Sequence, residues 1–167
     1  MKKMRKGFTL LELLVVIGVM GILSSLAMIG GQEATNAARA TNIADGLEKA
    51  ASAMMMYYAD NADSINESGT TAEKVKDGAN AYLKTKLVAA TEESKAGKYW
   101  VVLSEESAAG ASWYVVYKFL DTDTALQKII ANKATRMDLY QVNDSGAVQA
   151  TAYDGTTNAG SVAMKVR

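Results

Sequence analysis

One ionisable side chain stands out because its surroundings are almost entirely apolar. Glu12 is the only formally charged residue in residues 8–32, a stretch rich in Leu, Ile, Val and Met. A carboxylate inside a membrane span is costly, and intramembrane ionisable groups are usually functional and paired with an opposite charge. Glu12 is therefore expected to need a positive partner. A glutamate that only snorkels to the membrane edge is the alternative.

The composition removes most catalytic chemistry. The chain has no cysteine, which excludes disulfides, thiolate nucleophiles and Cys-ligated metals. It has no histidine, which excludes Ser-His-Asp triads and the usual zinc sites. We find neither a Gly-rich phosphate loop nor a carboxylate pair at a convincing spacing. We therefore predict that the protein is not an enzyme and uses no cofactor or metal.

The positive charge is concentrated at the N-terminus. Lys2, Lys3, Arg5 and Lys6 lie within the first seven residues, which leaves 14 of the 18 basic residues to set against 18 acidic ones. A mildly acidic remainder lacks the basic surface that nucleic-acid binding requires. We therefore predict no nucleic-acid partner.

The apolar stretch of residues 8–32 is long enough to cross a bilayer as a helix, which takes about 20 residues. The basic segment before it is expected to stay on the cytoplasmic side, so that the remainder lies outside. An ordinary secretory signal is cleaved after its apolar region, and the Ser-Ser-Leu-Ala sequence at 24–27 fits such a site weakly. A signal peptide or a simple anchor is therefore the alternative.

The pattern K-G-F-T-L-L-E-L-L-V-V-I-x-x-x-G-I-L in residues 6–23 resembles the N-terminal signature of type IV pilins and pseudopilins, which are prepilins with a class III signal peptide. The resemblance covers about the first 30 residues closely. It implies that prepilin peptidase cleaves between Gly7 and Phe8 and that Phe8 is then N-methylated. It also implies that Glu12 pairs with the Phe amino group of a neighbouring subunit during assembly.

Glycines inside the apolar stretch bear on how the helix behaves in a filament. Gly21 matches the family's helix glycine, where the resemblance implies that the chain loosens on assembly. The proline that commonly follows eight residues on is replaced by Ile29. Gly30 and Gly31 come directly after it and are expected to supply the flexibility instead.

The predicted fold class is α+β, with a long N-terminal α-helix packed on an antiparallel β-sheet head, as in pilins. Following the resemblance, we expect residues 1–7 to be a cleaved leader, 8–31 a hydrophobic transmembrane and assembly helix, 32–60 the amphipathic second half of the same helix, and 61–167 a globular head. The amphipathic half is predicted from apolar residues that recur at steps of three and four. These residues are Ile43, Leu47, Ala50, Met54 and Tyr57 or Tyr58.

The head is predicted to contain two short helices and about four strands. Thr70 and Glu73 have the spacing of a capping box at the start of the first helix. Asp121 and Asp123 belong to a cluster at 121–124 that is expected to cap the second, in preference to binding calcium, because no EF-hand loop is present. The predicted strands are 98–103 with 112–120 as one hairpin, 136–142 with 147–153 as another, and 161–166 as an edge strand.

The predicted function is that of a structural subunit of a type IV pilus filament. Its partners would be copies of itself, prepilin peptidase, and a pilus assembly platform with its ATPase. The precursor would lie in the cytoplasmic (inner) membrane as a single-pass protein, and the assembled filament would be extracellular at the cell surface. The alternative is a pseudopilin of a type II secretion or DNA-uptake system, and a third reading is a membrane-tethered binding domain.

Overall fold

The computed structural model describes residues 8–62, 71–89, 96–104, 112–120, 123–143, 145–156 and 160–166. The chain forms two compact units, Met1–Asn36 and Ala37–Arg167. A long N-terminal helix precedes a five-stranded antiparallel sheet, which confirms the predicted α+β, pilin-like architecture. The helices are α1 (Leu10–Asp60), α2 (Ala72–Ala79) and α3 (Thr124–Met137). The strands are β1 (Tyr99–Ser104), β2 (Ser112–Lys118), β3 (Leu139–Val142), β4 (Val148–Ala152) and β5 (Ser161–Lys165).

The part of α1 that lies in the second unit is amphipathic, as its spacing predicts. Ile43, Leu47, Ala50 and Met54 are buried, and Tyr57 and Tyr58 are half-buried beside them. These side chains share one hydrophobic cluster with residues from β2, β3 and β5, so this helical face covers one face of the sheet. Burial of each large apolar side chain contributes about 1.5–3 kcal/mol. Tertiary packing therefore stabilises this half of the helix.

The order of strands in the sheet is β1-β2-β5-β3-β4, and every pairing is antiparallel. Both predicted hairpins, β1 with β2 and β3 with β4, are confirmed. The expectation that residues 161–166 form an edge strand is wrong, since β5 is the central strand. Its Ala163 lies between Val116 of β2 and Tyr140 of β3. Successive residues Val162 and Ala163 are both fully buried, as expected for a strand covered on both faces.

Helix α2 starts one residue later than predicted. Thr71, with extended backbone angles, is the N-cap, and its side chain accepts a hydrogen bond from the backbone N–H of Lys74. The predicted cap residue, Thr70, lies outside the described residues. The helix buries Val75 and Ala79, and Asn80 follows it. The Asn80 side chain accepts from the Leu87 N–H at 2.7 Å and donates to the Leu87 carbonyl at 3.1 Å, which closes the following turn.

Helix α3 differs from expectation at both ends. Asp123 is its N-cap, as predicted in position, but its side chain makes no capping hydrogen bond, and Asp121 lies outside the described residues. At the other end the helix runs on to Met137, where a strand had been predicted from residue 136. Buried Ile130 and Ala134 continue the helical spacing. Asp138 then ends the helix in the left-handed conformation, with its N–H bonded to the Ala134 carbonyl.

Aromatic rings link the strands to one another inside the head. The ring centroids of Tyr99 and Tyr117 lie 4.9 Å apart, those of Tyr117 and Phe119 5.3 Å, and those of Phe119 and Tyr153 6.0 Å. Burial raises the pKa of Tyr99 to about 12, and the nearby Tyr117 and Asp45 add to the effect. Burial also raises the pKa of Tyr153 and of Tyr117. The folded head therefore resists ionisation of these phenols.

The raised pKa of Tyr99 predicts a loss of stability in alkali. Between about pH 10 and pH 12 the unfolded chain ionises this phenol while the folded chain keeps it neutral, so the free energy of unfolding falls with rising pH and levels off above that range. Denaturant titrations at several pH values measure this fall. In Tyr99→Phe the free energy of unfolding is expected to fall less over this pH range. The same fall in that variant as in the wild type would contradict the prediction.

Gly155 is expected to tolerate no side chain. Its φ is +70°, and a Cβ there would lie 2.8 Å from the backbone oxygen of Gln127 and 3.0 Å from the Ala131 side chain. Gly155→Ala should lower the free energy of unfolding by about 2–4 kcal/mol, because left-handed strain and overpacking add. Gly97→Ala is the matched control: its φ is +81° but the space is open. Equal losses for the two variants in urea titrations would refute the packing part of the argument.

Candidate functional site

The start of helix α1 is a capping box formed by Thr9 and Glu12. The Glu12 carboxylate oxygen Oε2 accepts the backbone N–H of Thr9 at 2.8 Å and its hydroxyl at 2.9 Å. In return, the backbone N–H of Glu12 donates to the Thr9 hydroxyl oxygen at 3.3 Å. The first helical hydrogen bond runs from the Leu13 N–H to the Thr9 carbonyl. This reciprocal pair satisfies backbone donors that a helix start otherwise leaves free.

The Glu12 carboxylate is only half used by this arrangement. Both bonds from Thr9 end on Oε2, and no donor among the described residues is bonded to Oε1. A carboxylate has about four acceptor positions on its two oxygens. The side chain is exposed, so an additional donor from outside the molecule has access to it.

The structure brings some of the predicted site residues together and keeps others apart. Phe8 is 87% exposed and lies immediately before Thr9. Glu12 lies four residues after Phe8, about one helical turn. Gly7 lies outside the described residues. Gly21 is inside α1, nine residues after Glu12, a rise of about 14 Å along a helix. Gly21 therefore belongs to the same helix as the candidate site but is not part of that site.

Thr9 is the residue that sequence reasoning missed. The signal was present, because Thr-Leu-Leu-Glu at 9–12 has the Thr-x-x-Glu spacing of a capping box. The same rule had been applied to Thr70 and Glu73. Only the structure shows that the hydroxyl and the backbone N–H of Thr9 both bind one oxygen of Glu12.

The glycines of the N-terminal stretch have no neighbours that would require them. A Cβ at Gly18, Gly21, Gly30 or Gly31 would have nothing within 4 Å in the described part of the chain. The Thr35 hydroxyl donates to the Gly31 carbonyl at 2.8 Å, a contact of a kind that often bends helices. Packing within one copy of the chain therefore does not account for glycine at these positions.

The apolar residues around the candidate site are uncovered. Every residue from 8 to 35 whose burial the structure describes is exposed, including Leu10, Leu14, Ile17 and Leu26. By length and composition α1 contains one stretch suited to crossing a membrane. Within the described ranges, no group of three or more His, Cys, Asp or Glu side chains is placed to hold a metal ion. The arrangement suits apolar contacts together with one polar contact at Glu12.

Residues 2–28 match the family model described as the prokaryotic N-terminal methylation motif. This motif is the class III signal peptide of type IV pilins and pseudopilins, so the resemblance drawn from residues 6–23 is confirmed. The match includes Gly7, Phe8, Thr9, Glu12 and Gly21. Among curated proteins and among solved structures, none matches this chain.

Proposed function

We propose that this chain, which carries a prepilin-type methylation motif, is a structural subunit of a type IV pilus and polymerises through its N-terminal helix. The observation that carries the proposal is the position of Glu12. It is the only formally charged residue in the uncovered apolar stretch of residues 8–32, and it lies within the matched methylation motif, four residues after Phe8. That combination gives neighbouring copies both an apolar and an ionic contact.

The motif implies processing by prepilin peptidase and handling by an assembly machinery. The N-terminal apolar helix together with the motif fits a precursor in the inner membrane. In our proposal residues 1–7 are removed as a leader, 8–31 span the membrane and later form the filament core, 32–60 continue the helix, and 61–167 form the head. The motif indicates a structural protein rather than an enzyme.

Cleavage would create the positive partner that Glu12 needs. Hydrolysis of the peptide bond between Gly7 and Phe8 releases the leader and leaves an ammonium group on Phe8, which N-methylation keeps basic. In the proposed filament this group pairs with Glu12 of a neighbouring copy. A buried ion pair forms only where geometry and hydrogen bonding offset the loss of hydration. Thr9 already supplies two of the hydrogen bonds to the carboxylate.

Burial of the apolar side chains would hold the proposed polymer together once the helix has left the lipid. Each large side chain removed from water contributes about 1.5–3 kcal/mol. Gly21 has open space around it within one copy, and in our proposal it is where the helix loosens on assembly. In an apolar setting small residues also let helices approach closely.

Analysis of material sheared from the cell surface tests the proposal. We expect filaments that contain this chain, and mass spectrometry of their subunits should show a terminus at Phe8 carrying one methyl group. An intact Met1 terminus found only in membranes would refute the proposal and favour a tethered domain. A processed chain confined to a short periplasmic fibre would refute the pilus assignment and favour a pseudopilin of a secretion or DNA-uptake system.

A further inference from the structure

We propose that Thr9 is a positioning residue for the contact between subunits. It holds the Glu12 carboxylate through Oε2 and leaves Oε1 for the N-terminal ammonium of a second copy of this chain. The inference rests on the proposed function and extends it, since it assigns a role to a residue that is neither cleaved nor methylated. The bonds at 2.8 and 2.9 Å from Thr9 to the same oxygen carry it.

Thr9 orders the Glu12 side chain before assembly. A free glutamate side chain samples several rotamers, and fixing it at an interface costs conformational entropy. In this structure the two bonds from Thr9 already hold Glu12 before any partner arrives. Assembly then requires less ordering of the carboxylate, so the contact with the second copy is strengthened.

The bonds from Thr9 are compatible with a second partner for Glu12. If the bonds from Thr9 occupied both oxygens, the box would have to open before an ammonium group could bind, and Thr9 would compete with assembly. Both bonds end on Oε2 instead, and no donor in the described part of the chain is bonded to Oε1. The carboxylate can therefore accept from Thr9 and from a neighbouring copy at the same time.

Thr9 also supplies hydrogen bonds to Glu12 in the membrane-bound precursor. Before assembly the carboxylate lies next to an uncovered apolar stretch, where an ionised group without hydrogen-bond partners is costly. The Thr9 hydroxyl and N–H supply two donors in that setting. Thr9 therefore serves the precursor and the proposed filament by the same contact.

Three substitutions separate positioning from simple helix capping. Thr9→Val keeps the shape and removes the hydroxyl. Thr9→Ser keeps a hydroxyl that can both donate to Glu12 and accept its N–H. Thr9→Asp preserves a good N-cap acceptor, but its ionised side chain has no proton to donate to the Glu12 carboxylate. If Thr9 only caps the helix, filament assembly should be normal in both Thr9→Asp and Thr9→Ser. If Thr9 positions Glu12, assembly should be normal only in Thr9→Ser.

The test uses the full-length chain, expressed without a wild-type copy, and measures the ratio of sheared filament to membrane pool. We expect Thr9→Ser to match wild type and both Thr9→Val and Thr9→Asp to lower the ratio about tenfold, the order expected for a hydrogen bond to a charged group. Mass spectrometry of the membrane pool should show that all three variants are still cleaved before Phe8.

Three results would overturn the inference while leaving the proposed function intact: a normal ratio in Thr9→Val, a raised ratio in that variant, or full rescue by Thr9→Asp. A raised ratio would mean that Thr9 competes with the neighbour's amine. If the wild-type chain itself forms no filament and keeps its leader, the proposed function is refuted and this inference with it.

Discussion

Glu12→Gln is expected to abolish filament assembly while leaving the leader cleavable. The substitution keeps the size of the side chain and its ability to accept hydrogen bonds from Thr9, but removes the charge that would pair with a neighbour's ammonium. Removing one partner of a buried ion pair costs about 3–5 kcal/mol. That corresponds to a reduction of about a hundredfold or more in the amount of polymer. Immunoblots of sheared and membrane fractions measure it.

Glu33→Gln provides the matched control. Glu33 is an exposed acidic residue of α1 in the same compact unit as Glu12, and it lies beyond the residues that match the methylation motif. This variant should assemble normally, and in both variants the thermal unfolding of the head should be unchanged, because Glu12 and Glu33 lie outside the unit that contains the sheet. Normal amounts of filament in Glu12→Gln would exclude the ionic contact between subunits.

Phe119→Ala is expected to cause a large loss of stability in the head. Phe119 is 1% exposed and follows strand β2, where its ring contacts those of Tyr117 and Tyr153. Replacing a buried Phe by Ala costs about 3–5 kcal/mol, because transfer free energy and the new cavity add. Urea titration of the full chain in detergent, followed by the fluorescence of buried Trp100 and Trp113, measures this loss.

The adjacent residue offers a close control for Phe119. Leu120 is 53% exposed, so Leu120→Ala should change the free energy of unfolding by less than about 0.5 kcal/mol, as is usual for surface positions. The slope of the free energy of unfolding against urea concentration should be similar in both variants, since the same surface is exposed on unfolding. A loss below about 1 kcal/mol in Phe119→Ala would mean that the aromatic chain does not stabilise the head.

Features set by neighbours along the chain could be predicted from the sequence. The spacing of Ile43, Leu47 and Met54 predicts the buried face of α1, since a helix repeats over three to four residues. The two hairpins join strands that follow one another directly, so turn residues and alternating apolar residues are enough to predict them. The methylation motif is linear as well, and it lies wholly within residues 2–28.

Features that depend on contacts far apart in the sequence could not be predicted in the same way. The apolar pattern of β5 does not say which strands flank it, and its central place between β2 and β3 joins residues more than 20 positions apart. Helix α3 runs on to Met137, past the predicted start of the strand at residue 136, and its Ala134 packs in the core, a contact that the local sequence does not reveal.

In the candidate site too, some features follow from the sequence and others only from the structure. The sequence by itself determined that one carboxylate, Glu12, lies in an apolar stretch inside the methylation motif, because residue types and short spacings are enough to establish this. Only the three-dimensional structure decided that both donors of Thr9 bind Oε2 and leave Oε1 unbonded within the described residues. Which oxygen accepts depends on side-chain torsion angles and distances, and spacing in a sequence does not specify these.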